Sequence, residues 1–248
     1  MSTLLLLTLT TTTTMTCDDA LHARYSKTLD CSQHRDMCSY APILRRLASH
    51  GNSVVEMGVR GVVSSWALLL GLHEAPVTSG SKWLVSVDKA PIDFKAPMKT
   101  GRACGVNVTF VQHDSATVLL PPSYDLLFID TMHAYPHLKR ELNAHAHAAR
   151  RYIALHDTNI DGAQSDVLRM GGTKAVPRVS KATGYAQAEL VRGLQPAIDE
   201  FLVQHTEWTL LEHHGGYCGL TVLVRHDTVR PGGRAFFQKS WWRRWLEA

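Results

Sequence analysis

Along the chain, short apolar runs alternate with amphipathic stretches, the pattern of strands and helices taken in turn. Val54 and Val55 lead to Glu56, and the chain then passes Gly58 and Gly61 into a segment opened by Ser64 and Ser65. In that segment Trp66, Leu69 and Leu70 form the expected buried face, so the stretch reads as strand, tight turn and helix start. A Pro/Gly/Ser connection over 75–81 precedes a second strand, Trp83–Val87, closed by Asp88. Val106–Gln112 alternates Val106, Val108 and Phe110 with polar residues and runs into His113, Asp114 and Ser115. Tyr124–Asp130 is a continuous apolar run of the kind buried on both faces of a parallel sheet. A helix follows with Leu138, Leu142 and Ala146 inward and Lys139, Arg140 and Glu141 outward. The fifth strand, Arg151–Leu155, ends in His156, Asp157 and Thr158. Gln195–His205 reads as a helix, and Trp208–His213 with Tyr217–Arg225 as a closing pair of strands joined through Gly215 and Gly216.

The flanks carry weaker patterns. Cys17–His50 reads as a helical lead-in, with Ile43, Leu44 and Leu47 on one face and Arg45 and Arg46 on the other. Asp161–Gly193, rich in Gly, Lys and Arg, reads as a long irregular lid or specificity loop. The predicted plan is a threonine-rich disordered tail over 1–16, one domain over 17–229 and an extension over 230–248. That extension interleaves Phe236, Phe237, Trp241, Trp242 and Trp245 with Lys239, Arg243 and Arg244, a pattern for packing back on the domain or meeting a membrane surface or partner.

Composition narrows the class. A chain of 248 residues, 45% hydrophobic, can bury the core of one large α/β domain. Its net charge of +4 is spread out, which gives no reason to expect nucleic acid as a partner. Cys17, Cys31, Cys38, Cys104 and Cys218 are odd in number and form no C-x-x-C pair, so reduced thiols and a cytoplasmic location are expected. No apolar run approaches the roughly 20 residues of a membrane span. The short run Leu4–Leu9 lacks the basic flank of a signal peptide, leaving a targeting segment as the minor reading.

Glycines before a helix N-terminus let backbone amides approach a nucleotide-like ligand closely. A dinucleotide fingerprint would require glycine where Arg60 stands. The stretch Glu56-x-Gly58-x-Arg60-Gly61-x-x-Ser64 instead resembles the first motif of class I S-adenosylmethionine-dependent methyltransferases. Over roughly Ser39–His226, the resemblance implies a Rossmann-like α/β sheet of seven strands in the order 3-2-1-4-5-7-6, with an antiparallel last strand and helices on both faces. It implies S-adenosylmethionine held by Glu56, Gly58, Arg60, Gly61 and Ser64, with Asp88 at the ribose, Asp114 and Ser115 beside the adenine, and Asp130 at the strand edge.

Phe-Ile-Asp130-Thr-Met-His133 and Ala-Leu-His156-Asp157-Thr158 resemble the divalent-metal-dependent small-molecule O-methyltransferases, both catechol-type enzymes and sugar or antibiotic-tailoring relatives. This implies Mg2+ on Asp130 and Asp157. Thr158 completes the set where catechol-type enzymes carry Asn, and His156 stands where some antibiotic-tailoring relatives carry Glu. His133 occupies the place of the catechol-type catalytic lysine, and an imidazole of near-neutral pKa can act as base toward a hydroxyl. His137, His145 and His147 read as helix-face residues. The expected activity is methyl transfer to a hydroxyl of a small molecule, with a homo-oligomer left open. Rivals from other classes are an NAD(P)-dependent oxidoreductase, disfavoured by Arg60, and a non-catalytic binding module on the same sheet.

Overall fold

β1 (Ser53–Met57), β2 (Lys82–Asp88), β3 (Val106–Gln112), β4 (Tyr124–Ile129), β5 (Ala149–His156), β6 (Trp208–His214) and β7 (Leu220–Arg225) build one sheet in the order β3-β2-β1-β4-β5-β7-β6. This is a computed structural model, and it describes residues 16–34, 36–76 and 80–226. Strands β1 to β5 pair in parallel, and β7 runs antiparallel to both β5 and β6. The order and the reversed strand are those expected from the sequence.

Two cores explain why the central strands lack polar alternation. Val54, Leu126, Phe128 and Ala154 face one apolar layer, whereas Val55, Met57, Leu127, Ile129, Ile153 and Leu155 face the other. Successive residues point to opposite faces, and both faces are covered. On the first face lies α3 (Val63–Glu74), with α1 (Cys17–Thr28) and α2 (Ala41–Ala48) outside it. α3 is therefore buried on all sides from Ser64 to Leu72, beyond the single face expected. A Cβ at Gly71 would fall 2.2 Å from the Arg45 carbonyl oxygen, so the glycine lets α2 and α3 approach closely. On the second face, α5 (Tyr135–His145) and α8 (Gln195–Gln204) pack against β4 and β5; α4 (Lys95–Ala103) lies beside β3.

Two expectations are corrected. The segment over 161–193 is largely helical, with α6 (Asp166–Thr183) capped by Ser165 and followed by α7 (Gln187–Leu190). α6 bends at Gly172, whose φ of 61° and ψ of −173° interrupt it, which is why glycine content reads as loop. Cys31 and Cys38 form a disulfide between the two lead-in helices, whereas Cys17, Cys104 and Cys218 are free. The chain turn after α1 brings their Cα atoms to 5.1 Å, a proximity that spacing does not reveal. Thiol chemistry therefore no longer supports a cytoplasmic location. Among the described residues no helix is long and apolar enough to cross a membrane. The threonine tract and the tryptophan-rich extension lie outside the described residues.

Candidate functional site

The strand order reverses between β1 and β4, and open α/β sheets bind ligands in the crevice beyond the carboxyl ends at such a point. Gly58 leaves β1 there with φ of 85°, and a Cβ on it would fall 1.7 Å from the Asp130 carbonyl oxygen. The Gly58 amide donates to Val87 and the Asp130 amide to Met57, each at 2.8 Å. These bonds tie the turn after β1 to the ends of both neighbouring strands.

The residues expected around a cofactor divide into two groups. Asp88 lies on the rim, where its Oδ2 accepts from the amides of Val59 at 2.8 Å and Arg60 at 3.1 Å and its Oδ1 from Ala90 at 2.8 Å. Arg60 projects outward and pairs with Asp36 at 2.6 Å. Gly61 is exposed beside it, and Asp114 is half-buried, its Oδ1 accepting from the Ala116 amide at 3.0 Å. Glu56 and Ser64 are instead interior. The Glu56 carboxylate accepts from Ser64 Oγ at 2.6 Å, Ser65 Oγ at 2.8 Å and Ser86 Oγ at 2.6 Å. Burial pushes this carboxyl up to about 7, and the three hydroxyl donors only moderate the rise. Ser115 is also buried, its Oγ 3.2 Å from His137 Nε2 and its carbonyl accepting from His145 Nε2 at 2.7 Å. His137 and His145 lie on α5, where they are buried and bracket that turn.

Asp130 follows β4 and Asp157 follows β5, and the parallel pairing of these strands brings the two acids together. Asp157 sits in the left-handed region at φ of 57°, a conformation that aspartate tolerates better than most residues. His133 Nε2 lies 3.2 Å from Asp130 Oδ1 and 3.0 Å from Asp157 Oδ2. His156 Nδ1 lies 3.4 Å from the same two oxygens. Each imidazole therefore spans both carboxylates. Their outer nitrogens are committed as well: His133 Nδ1 to Asp161 Oδ2 at 3.0 Å, and His156 Nε2 to the Asp36 carbonyl at 2.9 Å. Arg169 grips Asp161 from α6 with bonds of 2.6 and 2.9 Å.

Electrostatics follow from this packing. Burial opposes charge on both histidines, but the surrounding carboxylates outweigh it and hold each at about 10. Burial likewise opposes charge on Asp130, yet the hydrogen bond from His133 and the adjacent His156 imidazole keep its carboxyl well below the usual range. With both ring nitrogens engaged, His133 has no free site for a substrate proton, which speaks against the base role expected for it. Thr158 does not join the cluster: it is buried, and its hydroxyl accepts from Thr221 Oγ1 at 2.9 Å. His156, Asp161 and Arg169 are the members that sequence reasoning did not assign to the site. The Asp161 amide bonds back to the Asp157 carbonyl at 2.9 Å, so their four-residue spacing was a usable signal; Arg169 lay in a segment read as irregular.

No protein-family model and no curated protein matches this sequence. Among solved structures, the S-adenosylhomocysteine-bound methyltransferase PaMTH1 of Podospora anserina has a TM-score of 0.51 at 15% identity, covering 84% of this chain and 88% of that one. The O-methyltransferase TomG of Streptomyces achromogenes, in complex with S-adenosylmethionine, has a TM-score of 0.48 at 15% identity over 82% and 89% of the two chains. An O-methyltransferase of Bacillus cereus in complex with S-adenosylhomocysteine has 0.47 at 15% identity over 88% and 93%. At such identities the likeness concerns the fold, and only the first comparison is close enough to weigh. Together with the strand order and the antiparallel β7, it gives this chain the class I S-adenosylmethionine-dependent methyltransferase fold.

Proposed function

We propose that this protein transfers the methyl group of S-adenosylmethionine to a hydroxyl of a small molecule. The observation that carries the reading is the convergence of Asp130, His133, His156 and Asp157 at the crevice beside the Gly58 turn, in a sheet of methyltransferase order. The rim suits the cofactor, because the Asp88 carboxylate and the amides of Val59 and Arg60 meet there at the ends of β2 and β1. Asp88 and Asp114 would hold ribose and adenine, and Gly58 and Gly61 would keep side chains out of the turn. Glu56 and Ser64 would act from beneath, bracing β1 against the start of α3. When bound, the cofactor supplies an electrophilic methyl on a sulfonium, and the protein has to align an acceptor oxygen and manage its proton. Asp130 and Asp157 are the groups available to orient that hydroxyl. His133 would position them, in place of serving as base.

Magnesium fits the donors poorly. That hard ion prefers six oxygens in near-ideal octahedral geometry, whereas imidazole nitrogens line this cluster and Thr158 is turned toward Thr221. No step is therefore assigned to Mg2+.

The test pairs calorimetry with S-adenosylhomocysteine and a turnover assay over a panel of small hydroxyl compounds. Wild-type protein is expected to bind S-adenosylhomocysteine and to ignore NADH. Asp130→Asn is expected to lower turnover more than about 100-fold, roughly 2.7 kcal/mol of barrier, with cofactor affinity retained. Binding of NADH without S-adenosylhomocysteine would overturn the reading.

A further inference from the structure

At the amino ends of the strands, opposite the crevice, three helix ends bring together side chains that methyl transfer does not use. Cys17 opens α1, where a capping box between Thr16 and Asp19 fixes the first turn. His73 lies in the last turn of α3, and Cys104 caps the C-terminus of α4 just before β3 begins at Val106. Both thiols are free, and their sulfurs and one ring nitrogen of His73 all lie within 4.8 Å of one another. These residues come from three separate segments, so no spacing along the chain announces them.

The surroundings prepare the histidine to ligate. Its Nδ1 is 3.2 Å from the Cys104 carbonyl oxygen, which can only accept, so Nδ1 carries the proton and the neutral ring keeps its lone pair on Nε2. An imidazole held through one nitrogen by a backbone carbonyl, with the other left to ligate, is the outer-shell arrangement of metal-binding histidines. Lys82 Nζ donates to the carbonyls of His73 at 2.8 Å and Ala75 at 2.6 Å and so steadies the end of α3. Asp18 Oδ1 stands 3.3 Å from His73 Nε2, a carboxylate that adds negative potential beside the group. Two sulfurs and an imidazole nitrogen suit a borderline-soft ion, whereas a hard ion such as magnesium takes oxygens. A tetrahedral zinc with bonds of roughly 2.0–2.3 Å holds its donors about 3.3–3.8 Å apart. Donors already within 4.8 Å reach that spacing by shifts on the order of 1 Å. Cys17 and His73 are partly exposed, which lets them move and lets water in.

We propose that Cys17, His73 and Cys104 ligate a zinc ion, with water in the fourth position, and that the ion pins the start of α1 to the ends of α3 and α4. The role is structural. α3 carries the chain about 14 Å from Ser64, at the Glu56 carboxylate, to His73, so the ion does not touch the reacting groups. Burial of Leu21 and Tyr25 holds the middle and end of α1, and the ion holds its start. The inference is independent of the methyl-transfer reading.

Purified full-length protein with its thiols free is stripped with chelator, titrated with Co2+ by absorption and with Zn2+ in competition, and the zinc form is analysed for metal content. Circular dichroism of the metal-free variants reports whether each is folded. The expected result is about one ion per chain, a thiolate-to-cobalt charge-transfer band, and a urea midpoint that rises when Zn2+ is added. Cys17→Ser, His73→Gln and Cys104→Ser should each weaken Zn2+ binding more than about 100-fold and abolish the midpoint rise. Cys218→Ser and Asp130→Asn should keep affinity, band and midpoint rise, which separates this group from the crevice. Absence of the band, full Zn2+ affinity in folded Cys17→Ser and Cys104→Ser, or a band lost in Cys218→Ser would overturn the site. A Cys17–Cys104 disulfide found by peptide mass in protein isolated without reductant would overturn it in favour of a bridge.

Discussion

Glu56 and Asp130 stand at the ends of neighbouring strands, and the protein drives their carboxyl groups in opposite directions. Glu56 is enclosed by neutral hydroxyls and is pushed up to about 7, whereas Asp130 faces two imidazoles and is held low. Burial opposes ionisation in both places. What differs is the partner: hydroxyl donors soften a desolvation penalty, and cationic partners overturn it. The lesson is one of division of labour. The acid that opens the glycine motif braces the interior, and Asp130 at the crevice is held ionised.

The substitution with the largest expected effect breaks the link between the two regions. Gly58→Ala would set a Cβ 1.7 Å from the Asp130 carbonyl oxygen at a backbone φ that favours glycine. It should cost about 3 kcal/mol or more in urea unfolding and weaken S-adenosylhomocysteine binding together with it. An unchanged midpoint would mean that turn and β4 are not locked, and that the two acids can be treated separately.

Glu56→Gln sharpens the contrast through pH. The native carboxyl, raised from 4.5 to about 7, keeps a proton that the unfolded chain loses, so its contribution to stability falls as pH rises through that window and then levels off. Glutamine removes this loss. The variant should match wild type near pH 4 and exceed it by up to about 3 kcal/mol at pH 8, read from urea midpoints. Equal stability at both pH values would show that hydroxyls satisfy a buried carboxylate as well as imidazoles do.

The smallest effect is expected from Ser86→Ala, which removes one of the donors to Glu56 at a fully buried position. A loss of about 1 kcal/mol is expected, larger at pH 8 than at pH 5 because the bond strengthens when the acceptor is charged. A loss that does not change with pH would assign Ser86 to packing instead.

Much of the scaffold was legible beforehand, because parallel strands covered on both faces read as unbroken apolar runs and their ends are marked by acids. Trp83–Val87 became Lys82–Asp88, and Arg151–Leu155 became Ala149–His156, differences of one or two residues at each end. The kinked α6 was not legible, since Gly171 and Gly172 mimic a loop, and neither was the Cys31–Cys38 bridge, which depends on how the lead-in helices turn. At the site, Asp130 and Asp157 were found because each closes a strand. Asp161 and Arg169 were missed because they act across a helix that the pattern concealed.

The sequence by itself determined the succession of elements, the two-faced burial of the central strands and the delivery of Asp88, Asp130 and Asp157 to one edge, since periodicity and strand-end position are local properties. Only the tertiary structure decided that Glu56 turns inward to three serines, that Thr158 bonds Thr221, and that two histidines from different strand ends share the same pair of carboxylates. Those outcomes depend on which neighbour closes over each side chain, and such neighbours come from distant parts of the chain.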